Sequence, residues 1–245
     1  MFSRSEPVIF FPGTLCDERI FMPLWQSLKL DSKAFVPLQW AQDLEQMMAL
    51  SNDRIAYFDQ AVHLLGYSMG GYVAALAALD AFKQSKTQKA GFKIASLTLL
   101  NSSAQALGDE ELAQRKLVTK LIKDKRYKGM PNSKAEAMLH EQNRADKALV
   151  DSIVTMSNDL GASTLLAQTS ATANRKNLLP ELAKLPIPIQ FIVGEQDTIA
   201  PPTQVETASK GYANMRVSVL NGAGHMMPLE QSEALAELLI NPILA

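Results

Sequence analysis

Apolar positions along this chain of 245 residues follow two alternating rhythms. Short continuous apolar runs, each bounded by turn residues, lie at Val8 to Phe11, Phe35 to Leu38, Val62 to Leu65, Ile94 to Leu100, Ile187 to Val193 and Arg216 to Leu220. Runs of that length read as strands covered on both faces, the pattern of a parallel sheet. Between them, helical patterns occupy Arg19 to Leu28, Leu44 to Asp59, Gly71 to Lys83, Pro202 to Tyr212 and Pro228 to Leu239. The alternation predicts an α/β fold: a mostly parallel sheet of about six strands flanked by helices. From about Ala104 to Leu182 it stops. Three or four helical stretches fill that gap, including Asp109 to Tyr127, Ser133 to Asn143 and Lys147 to Ser157. The expected organisation is therefore a core of residues 1–103 and 183–245 with a helical insertion over 104–182. Placed after the fourth strand, the insertion would lie over the carboxyl ends of the strands, where open parallel sheets bind ligands. It is a candidate lid.

Composition narrows the class of partner. Hydrophobic residues make up 47% and charged residues 20%, ordinary for a globular chain, and 24 basic side chains face 25 acidic ones. No global field favours nucleic acid or an anionic membrane, so the expected partner is a small molecule. Lys116, Lys120, Lys123, Lys125, Arg126 and Lys128 form a basic cluster. With total charge near zero, this reads as the solvated side of a lid helix whose inner side carries Leu117, Leu121 and Ile122. Cys16 stands alone, which excludes an internal disulfide and fits a reducing compartment. An acid and a proline precede a first apolar run of only four residues, unlike a secretory signal, and no stretch approaches the roughly 20 apolar residues of a membrane span. A cytoplasmic location is expected, and the oligomeric state is left open.

The chemistry concentrates at Gly66-Tyr67-Ser68-Met69-Gly70, between the third strand and the helix that follows it. A serine on such a turn is lifted clear of the sheet edge, because flanking glycines permit the tight backbone. Its hydroxyl needs a base, and the chain has three histidines. His63 sits back along the same strand, about 15 Å from Ser68. His140 falls on a polar helical stretch of the insertion and reads as a surface residue. His225 follows Gly222-Ala223-Gly224 directly after the last strand and is the expected base. Asp197, past the end of the fifth strand, is the expected orienting acid, with Glu195 as competitor. The order Ser68, Asp197, His225 is nucleophile, acid, base. Oxyanion donors are expected from the backbone N–H of Met69 and from the loop after the first strand, where Thr14 comes first and Leu15 second; Pro12 has no N–H to give. Leu15, Tyr67, Met226 and Met227 are candidates for the acyl pocket. No histidine lies near Cys16 in sequence to support thiolate chemistry, so it reads as packed. Neither metal-ligand spacing nor a phosphate-binding glycine loop is present, so no metal and no cofactor are expected.

With these residues assembled, the chain resembles the α/β-hydrolase superfamily over nearly its whole length, and within it the small cofactor-free esterases with a helical lid. The group it looks most like contains a biotin-synthesis carboxylesterase and a related menaquinone-synthesis enzyme. The matching stretches are Phe11 to Phe21, Leu65 to Gly71, Val193 to Asp197 with Ala200-Pro201-Pro202, and Gly222 to His225 with Pro228-Leu229-Glu230. Most relatives carry His-Gly where this chain has Pro12-Gly13. That departure leaves a backbone donor in place and bears on the hydrogen-bond support of its loop. The chain also starts at what is usually the third strand of the family's sheet. The resemblance implies a serine hydrolase acting on a small carboxylic ester or thioester through an acyl-enzyme. The alternatives are lyase or carbon-carbon bond chemistry with the same triad, and a ligand receptor on the same fold.

Overall fold

Six parallel strands make one sheet in the computed structural model, which describes residues 2–87 and 91–240. They are β1 (Val8–Phe11), β2 (Lys33–Phe35), β3 (Val62–Tyr67), β4 (Ile94–Leu100), β5 (Ile189–Gly194) and β6 (Met215–Leu220), in the spatial order β2-β1-β3-β4-β5-β6. Registers such as Phe10 beside Leu65 and Leu99 beside Phe191 hold the four central strands level. Before the fourth strand come the helices α1 (Met22–Leu28), α2 (Leu44–Ala56) and α3 (Met69–Thr87). Between β4 and β5 lie α4 (Asp109–Lys123), α5 (Asn132–Met138), α6 (Lys147–Ala171) and α7 (Leu179–Leu182). The chain then adds α8 (Pro202–Ser209), α9 (Met227–Glu230) and α10 (Ser232–Ile240).

Period-2 alternation sends successive strand residues to opposite faces, and both faces are dry. From β1, Ile9 and Phe11 join a core with Leu64, Leu99, Phe191 and Val193, against α2 and α3. Val8 and Phe10 join the other core with Leu65, Leu100, Ile192, Phe21 and Leu235. Each such side chain contributes about 1.5–3 kcal/mol by leaving water, which explains the unbroken apolar strand pattern.

Boundaries shift where side-chain chemistry overrides periodicity. The second strand ends at Phe35, two residues after it begins; Pro37 cannot donate to a ladder, and Leu38–Trp40 turn into a 3₁₀ segment. The pattern over 19–28 divides into a 3₁₀ turn at Glu18–Ile20 and α1, and that over 228–239 divides at Gln231 into α9 and α10. The third insertion helix runs far beyond Ser157: α6 starts on an Asp146 cap to the Leu149 N–H and continues to Ala171, broken at Gly161 with φ of 76°. No side chain of α4 is buried, and Leu117, expected on its inner side, is 58% exposed. No helix among the described residues is long and apolar enough to cross a membrane.

Candidate active site

Ser68 sits between the last residue of β3 and the first of α3 with φ of 51°, the left-handed region that L-residues enter at a cost of about 1–3 kcal/mol. The surrounding contacts enforce it. A Cβ on Gly66 would meet the Gly70 carbonyl at 2.5 Å, and one on Gly70 would overlap the carbonyl oxygens of Phe11 and Pro12. Glycine at position 66 lets the start of α3 fold back on β3, and glycine at position 70 lets the β1 loop press against the turn.

Three side chains distant in sequence converge there. His225 Nε2 lies 3.0 Å from Ser68 Oγ, and His225 Nδ1 lies 2.9 Å from Asp197 Oδ2. The other oxygen, Asp197 Oδ1, accepts from the backbone N–H groups of Ile199 at 2.8 Å and Ala200 at 3.0 Å. Burial by itself would raise this carboxyl, but the charge and hydrogen bond of His225 and the two backbone donors outweigh it and hold it below the usual range. An ionised Asp197 fixes Nδ1 as a donor, so Nε2 is free to accept the serine proton. Glu195 is engaged elsewhere: its Oε2 accepts from Gly222 N at 3.1 Å and stands 3.7 Å from His140 Nε2.

The β1 loop lies directly alongside, with Gly13 facing the Tyr67 ring and the Ser68 Cβ. Among the described residues, neither the Met69 nor the Thr14 backbone N–H donates a hydrogen bond. The Leu15 N–H does: it is given to Gln168 Oε1 at 2.9 Å, with Leu15 itself at φ of 51°. Gln168 comes from α6, so the insertion supplies loop support that local sequence does not. Cys16 is packed beneath, and burial pushes its thiol up to about 12.

The residues expected to wall the acyl pocket are all buried. Tyr67, Met226 and Met227 belong to the core under α1 and α10, and Leu15 is buried as well. Tyr67 donates from its hydroxyl to the His225 carbonyl at 3.0 Å and packs its ring 5.5 Å from the imidazole. It braces the histidine and offers no free face, which is the packing of a core side chain. His140 also differs from expectation: it is 4% exposed and not a surface residue, because its backbone N–H is bound by Glu230 Oε2 at 2.7 Å. His63 is remote as expected, bound to Ser96 Oγ at 2.7 Å.

Asn101 holds the site together and was invisible to motif reading. At the end of β4, buried, with φ of 47°, it donates from Nδ2 to the carbonyls of Gly224 at 3.0 Å and His225 at 2.6 Å, and accepts at Oδ1 from Gly194 N at 2.8 Å. One amide thus joins the strand leading to Asp197 to the loop bearing His225. Glu230 ties the same loop to the insertion, taking Gly224 N at 2.9 Å and Asn143 Nδ2 at 2.9 Å. The only sequence signals were a polar residue directly after an apolar strand and an acid five residues past the histidine.

A parallel sheet with a serine on a left-handed strand-to-helix turn, bonded through a histidine to a buried aspartate, defines a protein of the α/β-hydrolase class. Residues 11–238 match the alpha/beta hydrolase family, and the chain belongs to that family. It is 25% identical over 185 residues to monoacylglycerol lipase ABHD6 of Bos taurus, covering 73% of this chain and 53% of that protein. The chain therefore spans about half the length of this curated relative. Among solved structures, a thermophilic esterase from Thermogutta terrifontis superposes with a TM-score of 0.77 at 20% identity, covering 97% of this chain and 89% of that one. An esterase from Exiguobacterium antarcticum gives 0.75 at 18%, covering 98% and 92%, and MenH from S. aureus gives 0.69 at 18%, covering 98% and 93%. Likeness at these identities speaks for the shared fold.

Proposed function

We propose that the protein is a serine hydrolase of small carboxylic esters or thioesters. The Asp197–His225–Ser68 hydrogen-bonded line, at 2.9 and 3.0 Å, carries the reading. In this reading Ser68 Oγ attacks the carbonyl carbon while its proton passes to His225 Nε2, and Asp197 stabilises the imidazolium. The oxyanion accepts from the unoccupied N–H groups of Met69 and Thr14, each worth about 3–4 kcal/mol in comparable sites. The Leu15 N–H, already given to Gln168, is left out. His225 returns its proton to the leaving alcohol or thiol; water, deprotonated by the same histidine, then releases the acid. Esterase and lipase relatives support the reaction class. Parts of residues 104–182 are proposed to act as a lid over Ser68, which is half-buried.

Hydrolysis of p-nitrophenyl esters of graded acyl length is the test. The unmodified protein should turn over at least one, and Ser68→Ala should lower kcat by about 10⁵- to 10⁶-fold. A fluorophosphonate should label Ser68. Labelling without turnover of any ester or thioester would move the reading to carbon-carbon bond or lyase chemistry. Absence of both would end it.

A further inference from the structure

Arg175, just beyond the end of α6, is a half-buried cation that meets no counter-ion among the described residues. Its Nε and Nη2 are shut off from solvent and meet no acceptor among the described residues. The carbon of its guanidinium stands 4.9 Å from the centre of the Tyr72 ring. The charges around it do not neutralise it. Arg115 repels it, and the nearby carboxylate, Glu111, is committed to Arg115, receiving both Nε at 3.0 Å and Nη2 at 2.7 Å on one oxygen. Arg115 spends its Nη1 on Thr172 Oγ1 at 3.0 Å, and the Tyr72 hydroxyl accepts from Lys176 N at 2.8 Å. Burial lowers the Arg175 pKa to about 10, which leaves it charged at neutral pH. Guanidinium nitrogens closed off from water without an acceptor are costly, and such groups mark candidate ligand sites.

The position ties this charge to Ser68. Tyr72 lies in the first turn of α3, directly after the Ser68 turn, where the Ser68 carbonyl accepts from Gly71 N at 3.0 Å. From the other side, Thr172 Oγ1 donates to the Gln168 carbonyl at 2.8 Å at the end of α6, and Arg175 follows three residues on, outside the helix. Gln168 holds Leu15 in the β1 loop, and its own Nε2 is also sealed and unpartnered. Donors without acceptors therefore run from the β1 loop to Arg175.

We infer that Arg175, with Arg115 behind it, is an anion-binding subsite of the Ser68 site, taking a carboxylate or phosphate carried by the substrate away from the carbon under attack. This rests on the serine hydrolase reading and adds to it the class of substrate, an ester or thioester whose body bears a negative group.

Mono-p-nitrophenyl suberate and p-nitrophenyl octanoate share acyl length and differ in the distal charge. Wild type should prefer the charged ester in kcat/KM by about 10-fold or more, an ordinary margin for a charged hydrogen bond. Arg175→Met should erase that preference and leave octanoate within about twofold, and Arg175→Lys should keep part of it. Free suberate and inorganic phosphate, tried as competitive inhibitors of octanoate hydrolysis, distinguish the two sources of charge, and whichever inhibits should lose its effect in Arg175→Met. Because the cation lacks a partner, Arg175→Met should hold or raise Tm; a large fall would mean that the side chain is already satisfied and would overturn the inference. So would a charged-ester preference that Arg175→Met leaves intact, or no preference at all. If no ester is cleaved, the hydrolase reading fails separately. The subsite is then judged on Ser68→Ala protein, where suberate or phosphate should raise Tm and the added Arg175→Met change should abolish the rise; no rise refutes it.

Discussion

The two halves of the helical insertion meet the core in opposite ways. Around α5 and the following 3₁₀ turn at Glu141–Asn143, the backbone is sewn to the loop that carries His225. Met138 O accepts from His225 N at 2.7 Å, Glu141 N donates to Gln196 Oε1 at 3.0 Å, and Glu230 clasps His140, Asn143 and Gly224 together. By contrast, α4 buries no side chain, shows Leu117 to solvent, and reaches α6 through Arg115 and Thr172. A single lid swinging as one body would tear out the support of the histidine. The stretch from Met138 to Asn143 therefore belongs mechanically to the frame of the site, and the proposed lid role falls to α4 and its neighbours. Local stability follows buried contacts, and these two segments stand at opposite ends of that scale.

The largest effects should come from the frame. Asp197→Asn keeps the shape but removes the charge that holds His225 in its productive tautomer, and comparable triads lose about 10⁴-fold in kcat. Stability follows with a defined sign. The folded Asp197 carboxyl lies below its ordinary value, so the unfolded chain binds the proton more readily. Its stabilisation is complete above about pH 4 and fades as pH falls through the lower folded value. Urea midpoints of wild type and Asp197→Asn should therefore differ most at neutral pH and converge in acid. A gap that widened on acidification would contradict the hydrogen-bond network described here.

Asn101 comes next. Asn101→Ala strands the Gly194 N–H and the Gly224 carbonyl, each a buried group whose loss of partner costs about 1–3 kcal/mol, and leaves the His225 carbonyl to Tyr67 alone. A displacement of about 1 Å at His225 would lower kcat about 10²-fold with little change in KM. Asn101→Gly separates the two contributions, because it loses the same bonds but tolerates the left-handed backbone; it should be more stable than the alanine variant by about 1 kcal/mol. Glu230→Ala tests the insertion side of the frame. It should cost about 2 kcal/mol in chemical denaturation and lower kcat by about 10-fold, since Asn101 still holds the loop.

What was legible beforehand divides along the same line. The positions of the strands, the tight turn at Ser68 and the pairing of His225 with Asp197 follow from local apolar runs and short glycine-rich segments, which a sequence displays directly. An aromatic residue beside a nucleophile looks the same in sequence whether its ring faces a pocket or the core; in the structure Tyr67 is buried and its hydroxyl donates to the His225 carbonyl. Gln168, Asn101 and Glu230 act across separations of 153, 123 and 90 residues, so no window of sequence brings their partners together. His140 was misread for the same reason, its burial being imposed by the segment around Glu230.

The smallest effect sharpens the comparison most. Leu117 is exposed on α4 although an amphipathic reading places it inside, so Leu117→Gln should change stability by less than about 0.5 kcal/mol. Ala135 gives the matched control: it is fully buried on α5, and Ala135→Gln should cost about 1–3 kcal/mol by overpacking. Equal losses at the two positions would mean that α4 packs as firmly as α5, and the insertion would then have to be treated as one body. If Leu117→Gln is silent in denaturation yet alters KM for long acyl esters, that side chain meets substrate, and α4 is the segment that closes over it.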